Sequence, residues 1–325
     1  MEVTVVIPNY NGKEFLGPCL DSLCNQSVSE YKLIVVDNGS QDNSVEFIKE
    51  KYPKVHLIEL EKNVGFSAAV NIGIKSARTQ FVVLMNSDTV AETFWLETLY
   101  NCIAAQPQVF SCSSRMIQMR DPLLIDNAGD QFTIIGWAFQ RGHGLSVSKY
   151  NQSSKIFSSC GGAAIYRTEV FEKIGYFDEG FFAYLEDVEI GYRARLNGYQ
   201  NIYCSDAQIY HFGSATSGSK YNEFKVRLTG RNTVYMLCKL MPRLQIILNL
   251  PFIIIGILLM GWNMKRNSLN KAYYEGIKEG LRNRNRQPVY KSSLIQVLKI
   301  QWNLYYNLLE FGLQFLQKWQ ASRNQ

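Results

Sequence analysis

Residues 79–90 read TQFVVLMNSDTV, a polar start followed by five unbroken apolar residues, Phe81–Met85, and then Asn86-Ser87-Asp88. So short and uniform an apolar run leaves no face for water. It fits a strand in a parallel sheet, because helices cover both sides of such a sheet. The polar triplet then falls at the carboxyl edge, where open α/β sheets bind their ligands. A carboxylate there, with neutral polar neighbours, suits a hard divalent cation that in turn holds phosphates. Taken alone, Asp88 serves equally well as the cap of a helix beginning near Ala91.

The same rhythm runs upstream. Apolar runs at 3–8, 31–36 and 55–60 read as strands, and the intervals 13–25, 44–52 and 67–76 read as helices. This βαβαβαβ order predicts a parallel sheet with right-handed crossovers. Each strand hands over to Asn, Asp, Gly or Ser: Asn9-Tyr10-Asn11-Gly12, Asp37-Asn38-Gly39-Ser40, Asn63, and Asn86. One such handover is ordinary turn chemistry. Four at one sheet edge make a polar rim. There is no GxGxxG after the first strand and no GxxxxGK[ST], so a dinucleotide oxidoreductase and a P-loop NTPase both lose weight.

Four segments carry a resemblance: VVIPNYNG (5–12), VVDNGSQD (35–42), NVGFSAAVNIGI (63–74) and LMNSD (84–88). In this order and spacing they resemble family 2 glycosyltransferases, inverting enzymes of the GT-A fold. They look most like the branch of bacterial rhamnosyltransferases and related cell-surface polysaccharide enzymes. The resemblance covers residues 3–235. It implies that Pro8, Asn9 and Tyr10 line a nucleotide base pocket and that Asp37 accepts a hydrogen bond from the base. Asn63 and the turn through Gly65 and Phe66 would lie near the diphosphate and sugar, with Asn71 one turn beyond Ser67. Asn86-Ser87-Asp88 takes the place of the family's DxD motif, with Asp88 binding Mg²⁺ or Mn²⁺. Asn86 at the first acidic position leaves one carboxylate fewer for the ion.

A second anchor is FFAYLEDVEIGYRARLNG, 181–198. Its spacing predicts a helix from about Glu186, stopped by Gly198. Glu186 and Asp187 fall in the first turn, where the helix dipole favours ionised acids, and acids there are ordinary. The resemblance implies more: the pair matches the family's base motif, with Asp187 as general base and Glu186 positioning the acceptor or neighbouring backbone. General-base catalysis contributes about 10²–10⁴-fold. The small residues of SSCGGAAIYR, 158–167, read as a strand that lets a ligand approach closely. Arg141 and His143, in the glycine- and aromatic-rich stretch 126–144, are candidates for the diphosphate or sugar. His211 follows a short strand at 200–205 and is a candidate second metal ligand or phosphate donor. His56 reads as ordinary packing. The implied reaction is a single in-line displacement with inversion.

The carboxyl-terminal hundred residues differ in character. The net charge of +6 resides in 263–291, with eight Lys or Arg against two Glu, while the rest balances at 26 each. A local basic block calls for an anionic surface. Before it come a predicted helix at 221–240 containing Arg227, Arg231 and Asn232, and then nineteen uncharged residues at 244–262, interrupted by Gln245, Asn249 and Pro251. A bilayer span needs roughly 20 apolar residues. Crossing would place the larger basic flank, Lys265 and Arg266, on the non-cytoplasmic side, against the positive-inside tendency. The expectation is a membrane-embedded, re-entrant or interfacial element, with a buried core helix as the alternative. A last helix at 294–319, with two Trp and paired Tyr, suits an interface or pairing with a second copy, giving a homo-oligomer. Nucleic acid is disfavoured, because the block adjoins lipid-like sequence.

Seven cysteines without a CxxC pair fit a reducing compartment better than a disulfide framework or a zinc site. The amino terminus starts directly on a strand, without the pattern of a secretory signal. The expectation is therefore an α/β protein: a GT-A Rossmann-like, mostly parallel sheet flanked by helices at 1–235, with a nucleotide-sugar half of about 1–90 and an acceptor half of about 91–235. A helical, basic, membrane-associated region at 236–325 would hold it to the cytoplasmic face of a bacterial inner membrane. It would move a sugar, with rhamnose from dTDP-rhamnose first, from a nucleoside-diphosphate donor to a lipid-linked or polysaccharide acceptor. Two rivals remain. A nucleotidyltransferase would show a glycine-rich basic loop where PNYNGKEF stands. A non-catalytic scaffold of the same fold would be marked by loss of Asp88 or Asp187, and both are present.

Overall fold

A computed structural model describes residues 1–213, 222–282 and 292–323. Tyr221 of the predicted helix, and Arg284, Arg286 and Lys291 of the basic block, lie outside the described residues. The chain opens with β1 (Val3–Asn9), α1 (Lys13–Cys24), β2 (Lys32–Asp37), α2 (Ser44–Lys51), β3 (His56–Glu59), α3 (Phe66–Ser76) and β4 (Phe81–Met85). These strands are parallel in the order β3-β2-β1-β4. All five residues of β4 are buried, as an unbroken apolar run requires. The side chains alternate between two cores, one against α1 through Val83 and Leu20, the other against α3 through Val82, Leu84 and Val70. His56 is solvent-exposed on β3, the edge strand that begins that order, and not packed.

The second half extends the sheet with mixed direction. It comprises β5 (Thr89–Ala91), α4 (Trp95–Ala104), β6 (Val109–Gln118), β7 (Ile125–Asn127), β8 (Asp130–Phe132), β9 (Ala138–Gln140), β10 (Ser154–Ile156), β11 (Ala163–Arg167), α5 (Thr168–Ile174), α6 (Glu186–Leu196) and β12 (Gln200–His211). Strand β11 inserts antiparallel between β4 and β6. Two expectations are corrected here. Asp88 caps no helix, because the chain continues into β5 and the next helix begins at Trp95. The strand expected at 200–205 runs to His211, passing an irregularity between Tyr203 and Gln208 before it pairs again with β6. A register shift of this kind re-aims a strand without ending it, which is why hydrophobic patterning alone stopped too early.

Among the described residues four α-helices follow: α7 (Glu223–Tyr235), α8 (Arg243–Lys265), α9 (Asn270–Arg282) and α10 (Leu294–Arg323). They share one apolar core with the sheet domain. Phe132, Phe157 and Tyr192 pack in the same cluster as Tyr235, Ile253 and Ile300, on both sides of residue 235. Helix α8 lies along this body. Gln245 and Asn249 are fully buried, and both bond to Gln301 of α10 at 3.2 and 3.0 Å.

Candidate active site

The carboxyl edge of the sheet opens into a cleft of about 540 Å³. Pro8, Asn9 and Tyr10 from the end of β1, Asn63 from the turn before α3, and Asn86-Ser87-Asp88 from the end of β4 line one side. Glu186 and Asp187 line the other, and His211 stands beside Asp88. Elements far apart in the chain meet here because parallel strands bring all their carboxyl ends to one edge.

Asp88 and His211 are joined by the pairing of β5 with β12, which sets His211 opposite Thr89. The backbone locks the same junction, with Phe212 N–H donating to the Asp88 carbonyl at 3.0 Å. His211 Nε2 stands 3.4 Å from Asp88 Oδ1, and its Nδ1 is 2.9 Å from Asp126 Oδ2. A carboxylate behind a histidine whose other nitrogen faces a second carboxylate is the arrangement that orients metal-ligating histidines. Burial opposes charge on His211, but Asp126 and Asp88 outweigh it and push its pKa up to about 10. One carboxylate and one imidazole form a donor set that would fit a divalent cation.

Asp187 sits at the start of α6, half-buried in the cleft wall. Its Oδ1 accepts from Val188 N–H at 2.7 Å, and its Oδ2 from Gly161 N–H at 3.4 Å. Burial raises its pKa, while the two backbone donors and the neighbouring Asp130 oppose that rise. Asp130 is more deeply buried. Desolvation and the charge of Asp187 hold its pKa well above the usual carboxylate range. Asn127 Nδ2 donates to Asp130 Oδ1 at 2.8 Å and fixes its orientation. Ligand atoms of Asp130, Cys160 and Asp187 lie within 4.8 Å of one another. Burial raises the Cys160 thiol well above its ordinary range, so it stays protonated there. Glu186 is 7% exposed, and its Oε2 has no hydrogen-bond partner. Desolvation first, then Asp187, raises its pKa to about 8.

The backbone between the two walls is kept close by small residues. Asn86 N–H donates to the Gly162 carbonyl at 2.8 Å, and a Cβ on Gly162 would meet Asn86 Nδ2 at 3.0 Å. Gly65 has φ +91°, and a Cβ there would strike Phe182 at 2.7 Å. Of the small residues in 158–167, Cys160, Gly161 and Gly162 line the cleft just before β11.

The loop before α6 is strained. Phe182, Tyr184 and Leu185 all have φ between 62° and 70°. Left-handed non-glycine residues persist where the surroundings over-determine them. Here α7 supplies the restraint. Asn232 is fully buried, and its Nδ2 lies 3.1, 2.9 and 2.7 Å from the carbonyls of Phe181, Ala183 and Tyr184. Arg231 Nη2 donates to the Phe181 carbonyl at 2.7 Å.

Several expected residues are placed elsewhere. Asn71 does not line the cleft. Its carboxamide is taken by the Phe177 backbone at 2.8 and 3.0 Å and by Glu179 at 3.1 Å, so it ties α3 to the segment before α6. Asp37 is 1% exposed and lies behind the cleft wall. Its oxygens accept from Asn9 Nδ2 and Ser40 N–H, both at 2.9 Å, which holds Asn9 in position. Arg141 pairs with Glu310 at 3.0 Å and stacks on Tyr150, while His143 contacts the Asp126 carbonyl at 2.9 Å. Neither lines the cleft. Asp126 and Asp130 are the site residues that motif reasoning passed over. Their only signal in the sequence is a pair of acids around Asn-Ala-Gly.

With this geometry in hand, the comparisons with known proteins decide the family. The family described as glycosyl transferase family 2 matches residues 4–175, more than half of the chain. This protein belongs to glycosyl transferase family 2. The chain is 25% identical over 268 residues to the chondroitin synthase of Escherichia coli, covering 74% of this chain and 38% of that protein. Its fold is similar to GalNAc-T7, crystallised with UDP, GalNAc and Mn²⁺ (TM-score 0.61, 16% identity, 75% of this chain and 48% of the other). It is also similar to a mannosyltransferase from Pyrobaculum calidifontis in complex with GDP-Man and Mn²⁺ (TM-score 0.53, 16% identity, 87% and 88%). The chain spans 15% to 38% of the length of the curated relatives it matches. The glycosyltransferase fold and enzyme class thus stand.

Proposed function

We propose that this family 2 glycosyltransferase moves one sugar, with inversion, from a nucleoside-diphosphate donor to a hydroxyl of a bacterial surface glycan or its lipid-linked precursor. The observation that carries this is a single cleft holding both an Asp88–His211 pair backed by Asp126 and an Asp187 carboxylate backed by Asp130. The first suits a divalent cation and a diphosphate, and the second suits a proton acceptor. Similar proteins that bind UDP or GDP-Man together with Mn²⁺ support the donor class. Among donor sugars, rhamnose from dTDP-rhamnose comes first, by the resemblance of the four motifs alone.

In this reading Pro8, Asn9, Tyr10 and Asn38 receive the nucleoside, and Asn63, Asn86 and Ser87 surround the diphosphate and sugar. Asp88 and His211 would hold a divalent cation, which would supply positive charge to stabilise the departing diphosphate. The acceptor oxygen bonds to the anomeric carbon as the carbon–oxygen bond to the diphosphate breaks. Asp187 takes the acceptor's proton, and the bond electrons leave with the nucleoside diphosphate. Asp130 donates to Asp187 and keeps it ionised and aimed. The unpartnered Glu186 Oε2 positions an acceptor hydroxyl. A cytoplasm-facing location at an anionic membrane belongs to the same proposal.

The test is release of nucleoside diphosphate from a panel of UDP-, dTDP- and GDP-sugars with Mn²⁺ or Mg²⁺, with and without bacterial lipid extract, beside Asp187→Asn. Release from one donor that needs the cation, and is lost in the variant, supports the reading and names the nucleotide. Equal release by the variant removes Asp187 as base.

A further inference from the structure

Helix α8 is apolar and uncharged from Leu244 to Met264, with a mean hydropathy of 2.3 in its most apolar window. Its 23 residues span about 34 Å, enough to cross a bilayer. Its packing forbids that. Gln245, Asn249, Ile253, Gly256 and Met264 are buried and recur at helical spacing along its whole length. Near one end Gln245 bonds to α10. In the middle the Gly256 carbonyl accepts from Trp137 Nε1 at 3.0 Å. Near the other end Met264 packs with Val226 and Tyr273. The helix cannot leave the protein without breaking this stripe.

The opposite face is inverted relative to a soluble helix. The polar residues point inward, and Ile247, Ile254, Leu258 and Trp262 are 48–70% exposed. Helix α10 repeats the pattern. Val297, Ile300, Gln301, Leu304, Asn307 and Gln314 are buried, whereas Ile295, Leu298, Trp302, Leu309, Leu313 and Leu316 are 52–74% exposed. Phe252 and Tyr305, in edge contact at 6.4 Å, join the two outer faces into one. Of the 26 exposed large hydrophobics among the described residues, 21 lie on these two helices. A patch this size marks an interaction surface.

We infer that the outer faces of α8 and α10 form one docking surface for an anionic lipid bilayer, on which both helices lie parallel to the membrane. Charge selects the bilayer over a second copy. The described basic residues at the margins, Arg243, Lys265, Arg266, Lys271 and Lys299, are all exposed. A two-fold pairing of this face would set like-charged rims against each other, whereas acidic headgroups pair with them. Trp262 beside Lys265 and Arg266, and Trp302 with Tyr305 and Tyr306, provide the amphipathic rings favoured at the water–lipid boundary. This rests on the membrane reading above and deepens it. The same helices hold the cleft wall, for Gln314 Nε2 donates at 3.0 Å to the carbonyl of Gln140, which lines the cleft. An acceptor anchored in the bilayer is therefore presented beside the catalytic cleft.

The experiment is flotation of the purified full chain with vesicles of phosphatidylcholine alone or with 30% phosphatidylglycerol, at low and high salt. Alongside it, tryptophan quenching would be read with lipids brominated near the glycerol or near the chain ends. Flotation with the anionic vesicles, weakened by salt and by neutral lipid, and stronger quenching by the shallow bromines, is expected. Ile254→Asp/Leu258→Asp loses binding at least tenfold and keeps donor-dependent nucleotide release. Lys265→Glu/Arg266→Glu, which leaves the apolar face intact, loses the preference for anionic lipid. Absence of flotation by the wild-type chain, stronger quenching by deep bromines, or a stable lipid-free dimer that does not float would each overturn the proposal. Because nucleotide release is read separately, failure here leaves the glycosyl-transfer reading standing.

Discussion

Replacing Asn232 by alanine tests whether a helix outside the nucleotide-binding half controls the base. Asn232 is fully buried, and in its absence the carbonyls of Ala183 and Tyr184 lose their 2.9 and 2.7 Å partner, while Phe181 keeps Arg231. Both carbonyls are half-buried at the cleft, where a lost hydrogen bond costs about 0.5–1.5 kcal/mol, so two cost roughly 2 kcal/mol. The left-handed residues Phe182, Tyr184 and Leu185 store about 1–3 kcal/mol each. The restraint and the strain are therefore of similar size, and removing one releases the other. The loop opens, and Asp187, two residues beyond Leu185, loses its place. A misplacement on the order of 1 Å lowers rate about 10²-fold. The expected result is a kcat about a hundredfold lower with donor KM little changed, since the nucleotide contacts lie on the other wall. Hydrogen exchange of the amides at 181–188 should rise in parallel. A variant with lowered thermal stability but wild-type kcat would refute the reasoning, because Asn232 would then be structural alone.

Three further outcomes follow from the site. Glu186 has a folded pKa of about 8 against an ordinary 4.5, so the folded state holds the extra proton between these values. Its stability contribution is full below pH 4.5 and is lost as pH rises towards 8, a loss of roughly 4 kcal/mol. Glu186→Gln should therefore melt about 5 °C above wild type at pH 8 and close to it at pH 5, and equal melting at pH 8 would contradict the burial argument. Asp130→Ala should lower kcat about 10–100-fold and move the acid limb of the kcat–pH profile upward, because a hydrogen bond to a charged group is worth about 1.5–3 kcal/mol. Asp130→Asn, which keeps both a donor and an acceptor, should largely restore the profile, and no restoration would mean Asp130 acts otherwise. Asp126→Asn should weaken Mn²⁺ binding about 10–100-fold by calorimetry while leaving the fold intact. Unchanged affinity would remove His211 from the metal site.

The sequence by itself determined the first half of the sheet and the rim on it. Apolar runs such as Phe81–Met85 can be satisfied only between two helical layers, and their handovers to Asn9, Asn63 and Asn86 then share one edge. Glu186 and Asp187 were legible for the same local reason, since a helix start and its stop at Gly198 are written in neighbouring residues. What lay beyond local pattern was decided by packing. The carboxamide of Asn71 and the carboxylate of Asp37 suit a ligand in composition, yet Phe177, Glu179, Asn9 and Ser40 engage them first. His211 reached Asp88 only because β12 resumes its pairing beyond Tyr203, which no periodicity records. Asp126 and Asp130 became partners of His211 and Asp187 through contacts across 85 and 57 residues, where each pair shares desolvation and charge. The apolar run at 244–262 left crossing, re-entrant, interfacial and buried placements open. The alternation of buried Gln245 and Asn249 with exposed Ile247 and Leu258 shows which face the protein covers, because which face of a helix is polar matters only once a neighbour occupies one side.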